Sequence, residues 1–154
     1  MWRGELIAIY ITADAAQPMQ AVSQARAVAG RGLEGDRYFN NAGTFALTED
    51  GRRQVTLIEI EAIQALREEN QLAFEPGESR RNLVTRGVPL NHLVDKEFLV
   101  GAVRLRGVWL CEPCSHLAEL TGKPAALPGL VHRGGLRAVV LSDGLIRVGD
   151  VVQE

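Results

Sequence analysis

Apolar positions in the opening stretch, "ELIAIYIT", follow one another with β-branched and aromatic residues among them, the pattern of a well-buried strand. "AVSQARAVAG" alternates loosely and stops at a glycine, which predicts a further strand. "EFLVGAVRLRGVWLC" reads as two strands that meet near Gly101, with Val103, Leu105 and Val108 turned to one side. In "GLRAVVLSDGLIRVGDVVQE" the Asp143-Gly144 step between apolar runs predicts a hairpin, and Gly149-Asp150 predicts another turn. One segment changes to helical spacing. Ile60, Ile63 and Leu66 fall on one stripe, Thr56-Leu57-Ile58-Glu59 before them has the form of a capping box, and Asn70 is a plausible terminator. A shorter helix is expected through "SHLAELTG", ending at Gly122 with Pro124 beyond it. Many short strands, turn signals and two helices predict a mainly β fold, a β-barrel with helices on its outside.

The bulk numbers fit one domain. The chain has 154 residues, 46% of them apolar, and no repeat or composition break divides it, so residues 1–154 are expected to form a single unit. The apolar run at the N-terminus, Leu6 to Ile11, is shorter than a signal peptide's roughly 7–15 residues, and Glu5 spoils the positive flank. No run approaches the roughly 18 apolar residues of a membrane span. The expectation is a cytoplasmic protein with no membrane partner. A net charge of −2 gives no reason to expect a nucleic-acid partner.

The kind of cation is more informative than the total. Fifteen of the seventeen basic residues are arginine, and several cluster, at Arg31/Arg37, Arg52/Arg53, Arg80/Arg81/Arg86, Arg104/Arg106 and Arg133/Arg137. Arginine offers a planar fork that grips phosphate or carboxylate bidentately. A GC-rich genome would also favour arginine over lysine, so the clusters carry more weight than the count.

Four segments have residues suited to chemistry. Gly30-Arg31-Gly32-Leu33-Glu34-Gly35-Asp36-Arg37 has three glycines in six residues, enough for backbone N–H groups to form an anion-binding concavity or simply a flexible loop. No Gly-Lys-Ser/Thr follows, so it is not a P-loop. Asp36 is read as fixing an arginine or a turn rather than as catalytic. Arg80-Arg81-Asn82-Leu83, read as a strand, would send one arginine inward beside an amide, as in an anion clamp; a solvated charged turn is the plain alternative. His132-Arg133-Gly134-Gly135-Leu136-Arg137 repeats the glycine-arginine combination. The fourth segment, "LCEPCSH", holds both cysteines, Cys111 and Cys114, with His116 beside them. A zinc site completed by His116 and His132 fits no common spacing. A redox dithiol wants βαβ units that the pattern does not show. A single reactive or metal-ligating thiolate at Cys114, with Cys111 a small buried hydrophobe, and two merely packed cysteines are the remaining readings.

Taken in order, "GLEGDRY", "SRRNLVTRGVPLNHL", "FLVGAVRLRGVWLCEPCSHL" and "HRGGLRAVVLSDGLIRVGD" resemble the MOSC domain, named for the C-terminal part of molybdenum cofactor sulfurases. The similarity runs from about residue 32 to 152. It implies a MOSC-type β-barrel and one motif cysteine, at Cys114; Cys111 matches no motif position. In amidoxime-reducing members the cysteine thiolate ligates molybdenum of the molybdopterin cofactor, whose phosphate sits among basic and polar residues. The positions that the resemblance matches to that anion site are Arg37, Arg81, Asn82, Arg133 and Arg137, with Arg80 a weaker match. It implies an oxidoreductase that reduces small N-hydroxylated compounds with electrons from a separate donor protein. The alternative it carries is a metal-free sulfur carrier, with a persulfide on Cys114 received from a pyridoxal-phosphate-dependent cysteine desulfurase for cofactor or metal–sulfur cluster assembly. A third expectation is a non-catalytic module that binds a phosphorylated small molecule.

Overall fold

The computed structural model describes residues 1–14, 16–39, 53–113, 117 and 120–154. Cys114 and His116 lie outside them, as does half of the segment expected to form the second helix. The strands are β1 (Arg3–Ile11), β2 (Gln20–Val22), β3 (Gln24–Val28), β4 (Gly32–Leu33), β5 (Val55–Glu59), β6 (Leu83–Arg86), β7 (Glu97–Val100), β8 (Val103–Leu110), β9 (Leu136–Val140), β10 (Gly144–Arg147) and β11 (Val151–Gln153). Helix α1 (Ile60–Asn70) joins β5 to β6, and short helical turns occur at Pro76–Ser79, Leu90–Leu93 and Ala126–Gly129.

Seven strands close on themselves in the order β11-β7-β8-β9-β5-β6-β1, the ring being completed where Arg3, Gly4 and Glu5 face Gln153, Val152 and Val151. The result is a mixed β-barrel. β5 and β6 run parallel, which requires a crossover, and α1 is that crossover. β2 extends β1 beyond the ring, while β10, β3 and β4 form a small second sheet.

Strand parity sorts the apolar side chains. Leu6, Leu57, Leu83, Val100, Leu105, Ala138 and Val152 belong to the barrel's interior cluster. Ile58 and Val84, one residue on from Leu57 and Leu83, turn outward and meet Ile60, Ile63 and Leu66 of α1 together with Phe74 and Leu130. β5 and β6 are therefore buried on both faces, and all four residues of "VTLI" in β5 are buried. Burying each of the three α1 side chains contributes about 1.5–3 kcal/mol, and they fix the helix to the barrel wall.

Three expectations change. Thr56 is not a helix cap: it is a buried strand residue, and α1 begins only at Ile60, with Glu59 at its N-cap making no side-chain cap bond. Pairing of β5 with both β6 and β9 overrides the local capping signal. The hairpin expected at the Asp-Gly step does not form: the chain bends at Ser142, Gly144 already opens β10, and β9 pairs with β5 and β8, whereas β10 pairs with β3. Asp143 instead accepts the amide of Ala29 at 2.7 Å, tying the turn to the neighbouring sheet. Val103 and Leu105 are buried as expected, while Val108 is half-buried where the β8–β9 register shifts between Gly107 and Trp109.

Candidate functional site

The segments singled out in the sequence converge where β8 ends and β9 begins. Cys111 follows directly on β8, and Gly134 and Gly135 lead into β9. The amide of Cys111 donates to the carbonyl of Gly135 at 2.7 Å. Gly134 lies so close that a Cβ would stand 2.5 Å from the Cys111 oxygen and 3.0 Å from the Pro113 ring, and only glycine permits that approach. The carboxylate of Glu112 accepts the amide of His132 at 2.9 and 3.2 Å through its two oxygens. His132 has φ +64°, an uncommon left-handed conformation for a non-glycine residue. The imidazole itself is exposed.

Arg81 spans both loops. Its Nε donates to the Gly134 carbonyl at 2.7 Å, its Nη2 to the Cys111 carbonyl at 2.9 Å and its Nη1 to the Ser79 carbonyl at 3.3 Å. The guanidinium is thus spent on main-chain oxygens. The expectation that Arg80 and Arg81 lie in a strand is corrected: β6 starts at Leu83, and Arg80 has φ +60° after the Pro76–Ser79 turn. That left-handed residue, not strand alternation, separates the two side chains. Arg81 goes inward, while Arg80 lines an open cleft of about 360 Å³ with Tyr10, Met19, Gly77 and Glu78. One Arg80 donor reaches the Gln17 carbonyl at 2.6 Å. Burial first, and then the nearby Arg37 cation, lower the Arg80 pKa from its ordinary value.

Asn82 ties three strands together. Its side-chain oxygen accepts from the amide and hydroxyl of Thr56 at 3.0 and 3.2 Å, and its Nδ2 donates to the Tyr10 carbonyl at 3.1 Å. Arg133 lies further out, donating to the Gly129 carbonyl and to the carboxylate of Glu69 on α1.

Arg37 is buried beside Asp36, which has no exposed surface. Its Nη1 reaches Asp36 at 3.3 Å and the Met19 sulfur at 3.5 Å, and its Nη2 reaches the Tyr38 hydroxyl at 3.3 Å and the Arg80 carbonyl at 3.2 Å. Burial pushes the Asp36 carboxyl above its ordinary value, against the pull of Arg37 and of the amides of Thr12 and Tyr38. The backbone concavity expected in this glycine-rich loop is largely closed: the amides of Gly30, Arg31, Glu34 and Asp36 all donate to carbonyls of the chain itself.

Arg137, on β9, differs from the rest. It is 6% exposed, its Nη2 donates to the Cys111 sulfur at 3.4 Å, and its Nε and Nη1 are buried without a hydrogen-bond partner among the described residues. No described carboxylate pairs with it. Tyr38 and Trp109 present their rings to it at 5.8 and 5.9 Å, and the same Tyr38 ring lies 4.4 Å from the Arg37 guanidinium. Tyr38 thereby links Arg137 to Arg37, which in turn holds the main chain of Arg80 at the cleft. Neither aromatic is among the residues that the sequence singles out, although Tyr38 lies inside "GLEGDRY" and Trp109 inside "VWLC"; an aromatic beside an arginine at a strand end is the available signal.

The electrostatic sum is unusual. Among the described residues the buried charged side chains are Arg37, Arg81 and Arg137 against Asp36 alone. Buried charge in this excess calls for a counter-anion. Among the same residues no three histidine, cysteine, aspartate or glutamate side chains come together to hold a metal ion, and Cys114 lies outside the set. No helix among them is long and apolar enough to cross a membrane.

A family model, the MOSC domain, matches residues 20–153. No curated protein matches the sequence. The fold is similar to that of the YuaD protein from Bacillus subtilis, with a TM-score of 0.81 and 19% identity over 99% of this chain and 97% of that one. It is also similar to YiiM from Geobacillus stearothermophilus, at TM-score 0.74 and 13% identity over 97% of this chain and 74% of that one. YiiM from Escherichia coli follows at TM-score 0.64 and 16% identity, over 99% and 69%.

Proposed function

The chain belongs to the MOSC domain family, and we propose that it binds the molybdenum cofactor and acts as an oxidoreductase on small N-hydroxylated compounds, with Cys114 as the metal ligand. The observation that carries this reading is the buried surplus of guanidinium groups among the described residues, three against one carboxylate, with two donors of Arg137 unpartnered among those same residues. A ligand with a phosphate would supply the missing negative charge. The donor set therefore fits the anionic end of the cofactor; the thiolate end rests on the family motif.

The cofactor, when bound, would supply a metal able to take an oxygen atom from a substrate and to exchange electrons with a separate donor protein. The chain's own residues do the holding. Arg137 offers Nε–H and Nη1–H to an anion in surroundings where each charged hydrogen bond is stronger than in water. Arg80 adds a cation in the cleft, and Arg37 fixes its main chain. Tyr38 and Trp109 keep water from the Arg137 guanidinium while their ring faces stabilise its charge. Arg81 and Asn82 act one step back. Arg81 holds the Cys111-Glu112-Pro113 segment against the Gly134-Gly135 loop, and Asn82 keeps β6 in register with β1 and β5.

The test is molybdenum and pterin content of protein purified from a cofactor-replete host, for the wild type and Cys114→Ser. Near-stoichiometric metal and pterin in the wild type, lost in the variant, is the expected result. Metal-free wild-type protein that takes up one sulfur atom on Cys114 from a cysteine desulfurase would replace this reading with that of a sulfur carrier.

A further inference from the structure

Cys111 matches no motif cysteine, and by its sequence it could be a small packing residue. The structure gives it more to do. Each polar atom it has is engaged: its amide with the Gly135 carbonyl, its carbonyl with Arg81 Nη2, and its sulfur with Arg137 Nη2 at 3.4 Å. Cys111 is 5% exposed, and Arg137 is nearly as buried. The sulfur is the single described hydrogen-bond acceptor of the Arg137 side chain, whose Nε and Nη1 have no partner among the described residues.

We propose that Cys111 is a positioning residue: its sulfur anchors one end of the Arg137 guanidinium, leaving Nε and Nη1 aimed where the anionic ligand is to sit. A guanidinium that had no acceptor and only the two rings of Tyr38 and Trp109 beside it would be free to swing about its last torsion angles, since ring faces attract a cation without fixing its rotation. One directional acceptor removes that freedom. Sulfur suits the task because it accepts weakly and carries no obligatory charge, so the cation is oriented without being neutralised. A carboxylate in its place would orient Arg137 as well, but would cancel the charge meant for the ligand. The sulfur is itself held in place, because Arg81 and Gly135 clamp the main chain on either side of it.

The consequence for anion binding rests on the cofactor reading, whereas the geometry does not, and the experiment separates the two. On cofactor-free protein the Nε–H resonance of Arg137 is recorded by nitrogen-edited NMR and assigned by its loss in Arg137→Lys. It is then compared in Cys111→Ser, which retains an acceptor, and in Cys111→Ala and Cys111→Val, which do not; Val is included to preserve packing. Expected is a resonance close to its wild-type position in Cys111→Ser and a displaced or broadened one in both apolar variants. In protein from a cofactor-replete host, Cys111→Val is expected to release pterin about tenfold faster than wild type, the ratio given by one hydrogen bond to a charged group, with Cys111→Ser close to wild type. An unmoved Arg137 resonance in Cys111→Val and Cys111→Ala overturns the proposal. So does a Cys111→Ser spectrum that changes as theirs do, since packing alone would then be responsible. Wild-type protein that acquires no pterin speaks against the cofactor reading, and the resonance then decides the role of Cys111 by itself.

Discussion

Arg81 Nη2 donates to the main-chain carbonyl of Cys111 at 2.9 Å, across 30 positions of sequence, and that bond joins the turn before β6 to the segment leading into the motif cysteine. With Gly134 and Ser79 also accepting from it, Arg81 is a brace whose donors are satisfied inside the protein. Arg81→Ala leaves three buried carbonyls without their donor and is expected to destabilise the fold by about 3 kcal/mol, with Arg81→Lys recovering part of the loss through one bond. Urea unfolding of the two variants measures this. Arg81→Ala of wild-type stability would show that the brace is dispensable.

Arg137 should behave in the opposite sense. Its buried Nε and Nη1 satisfy nothing in the described structure, so replacing it by an apolar side chain of similar length removes an uncompensated charge. Arg137→Met is expected to leave cofactor-free protein as stable as the wild type or up to about 2 kcal/mol more stable, while molybdenum retention is lost. A thermal melt beside a metal assay tests both halves. Substantial destabilisation together with full metal retention would assign Arg137 to the fold alone.

Asn82 bonds to Thr56 on β5 and to Tyr10 on β1 from a position just before β6. Asn82→Ala orphans the Thr56 amide and the Tyr10 carbonyl where strand order is set, and a loss of about 3 kcal/mol is expected. Amide hydrogen exchange should show the weakening concentrated at Tyr10 and Thr56. Uniform loss of protection across the barrel would mean that Asn82 supports global stability and not this junction.

The carboxylate of Glu78 accepts from Lys123 at 2.8 Å and from the Glu75 amide at 2.9 Å, so it connects the turn beside the cleft to the chain beyond Thr121. Burial raises the Glu78 pKa, but those bonds outweigh it and the net value lies below the ordinary 4.5. The sign follows: stability from this tether is complete above 4.5 and is lost as pH falls through the lowered value. Acid titration followed by NMR should show Glu75–Ser79 amides shifting in that lower range in wild type but not in Glu78→Gln. A midpoint above 4.5 would contradict the assignment.

The strands of the barrel could be read directly from the chain because their information is local. "ELIAIYIT", "EFLV" and "VRLRGVWL" have the composition and alternation of strands, and the stripe of Ile60, Ile63 and Leu66 needs only helical periodicity to be seen. The four motif segments likewise carry the family resemblance in their residues and order alone. What those residues do was a different matter. "TLIE" has the letters of a helix cap and is a strand, because pairing with β6 and β9 outweighs one capping box. Asp143-Gly144 has the letters of a hairpin turn, yet the strands on its two sides enter different sheets, and which partner a strand finds is a long-range question. Arg81, Asn82 and Arg137 look equally fit to hold an anion on paper. Only three-dimensional packing shows that Arg81 and Asn82 spend their polar groups on the chain itself, whereas Arg137 keeps two donors unpartnered among the described residues. A residue's type establishes which bonds it can form. Whether those bonds are already taken depends on carbonyls, amides and a sulfur brought in from 26 to 72 positions away, and only the closed barrel puts them within reach.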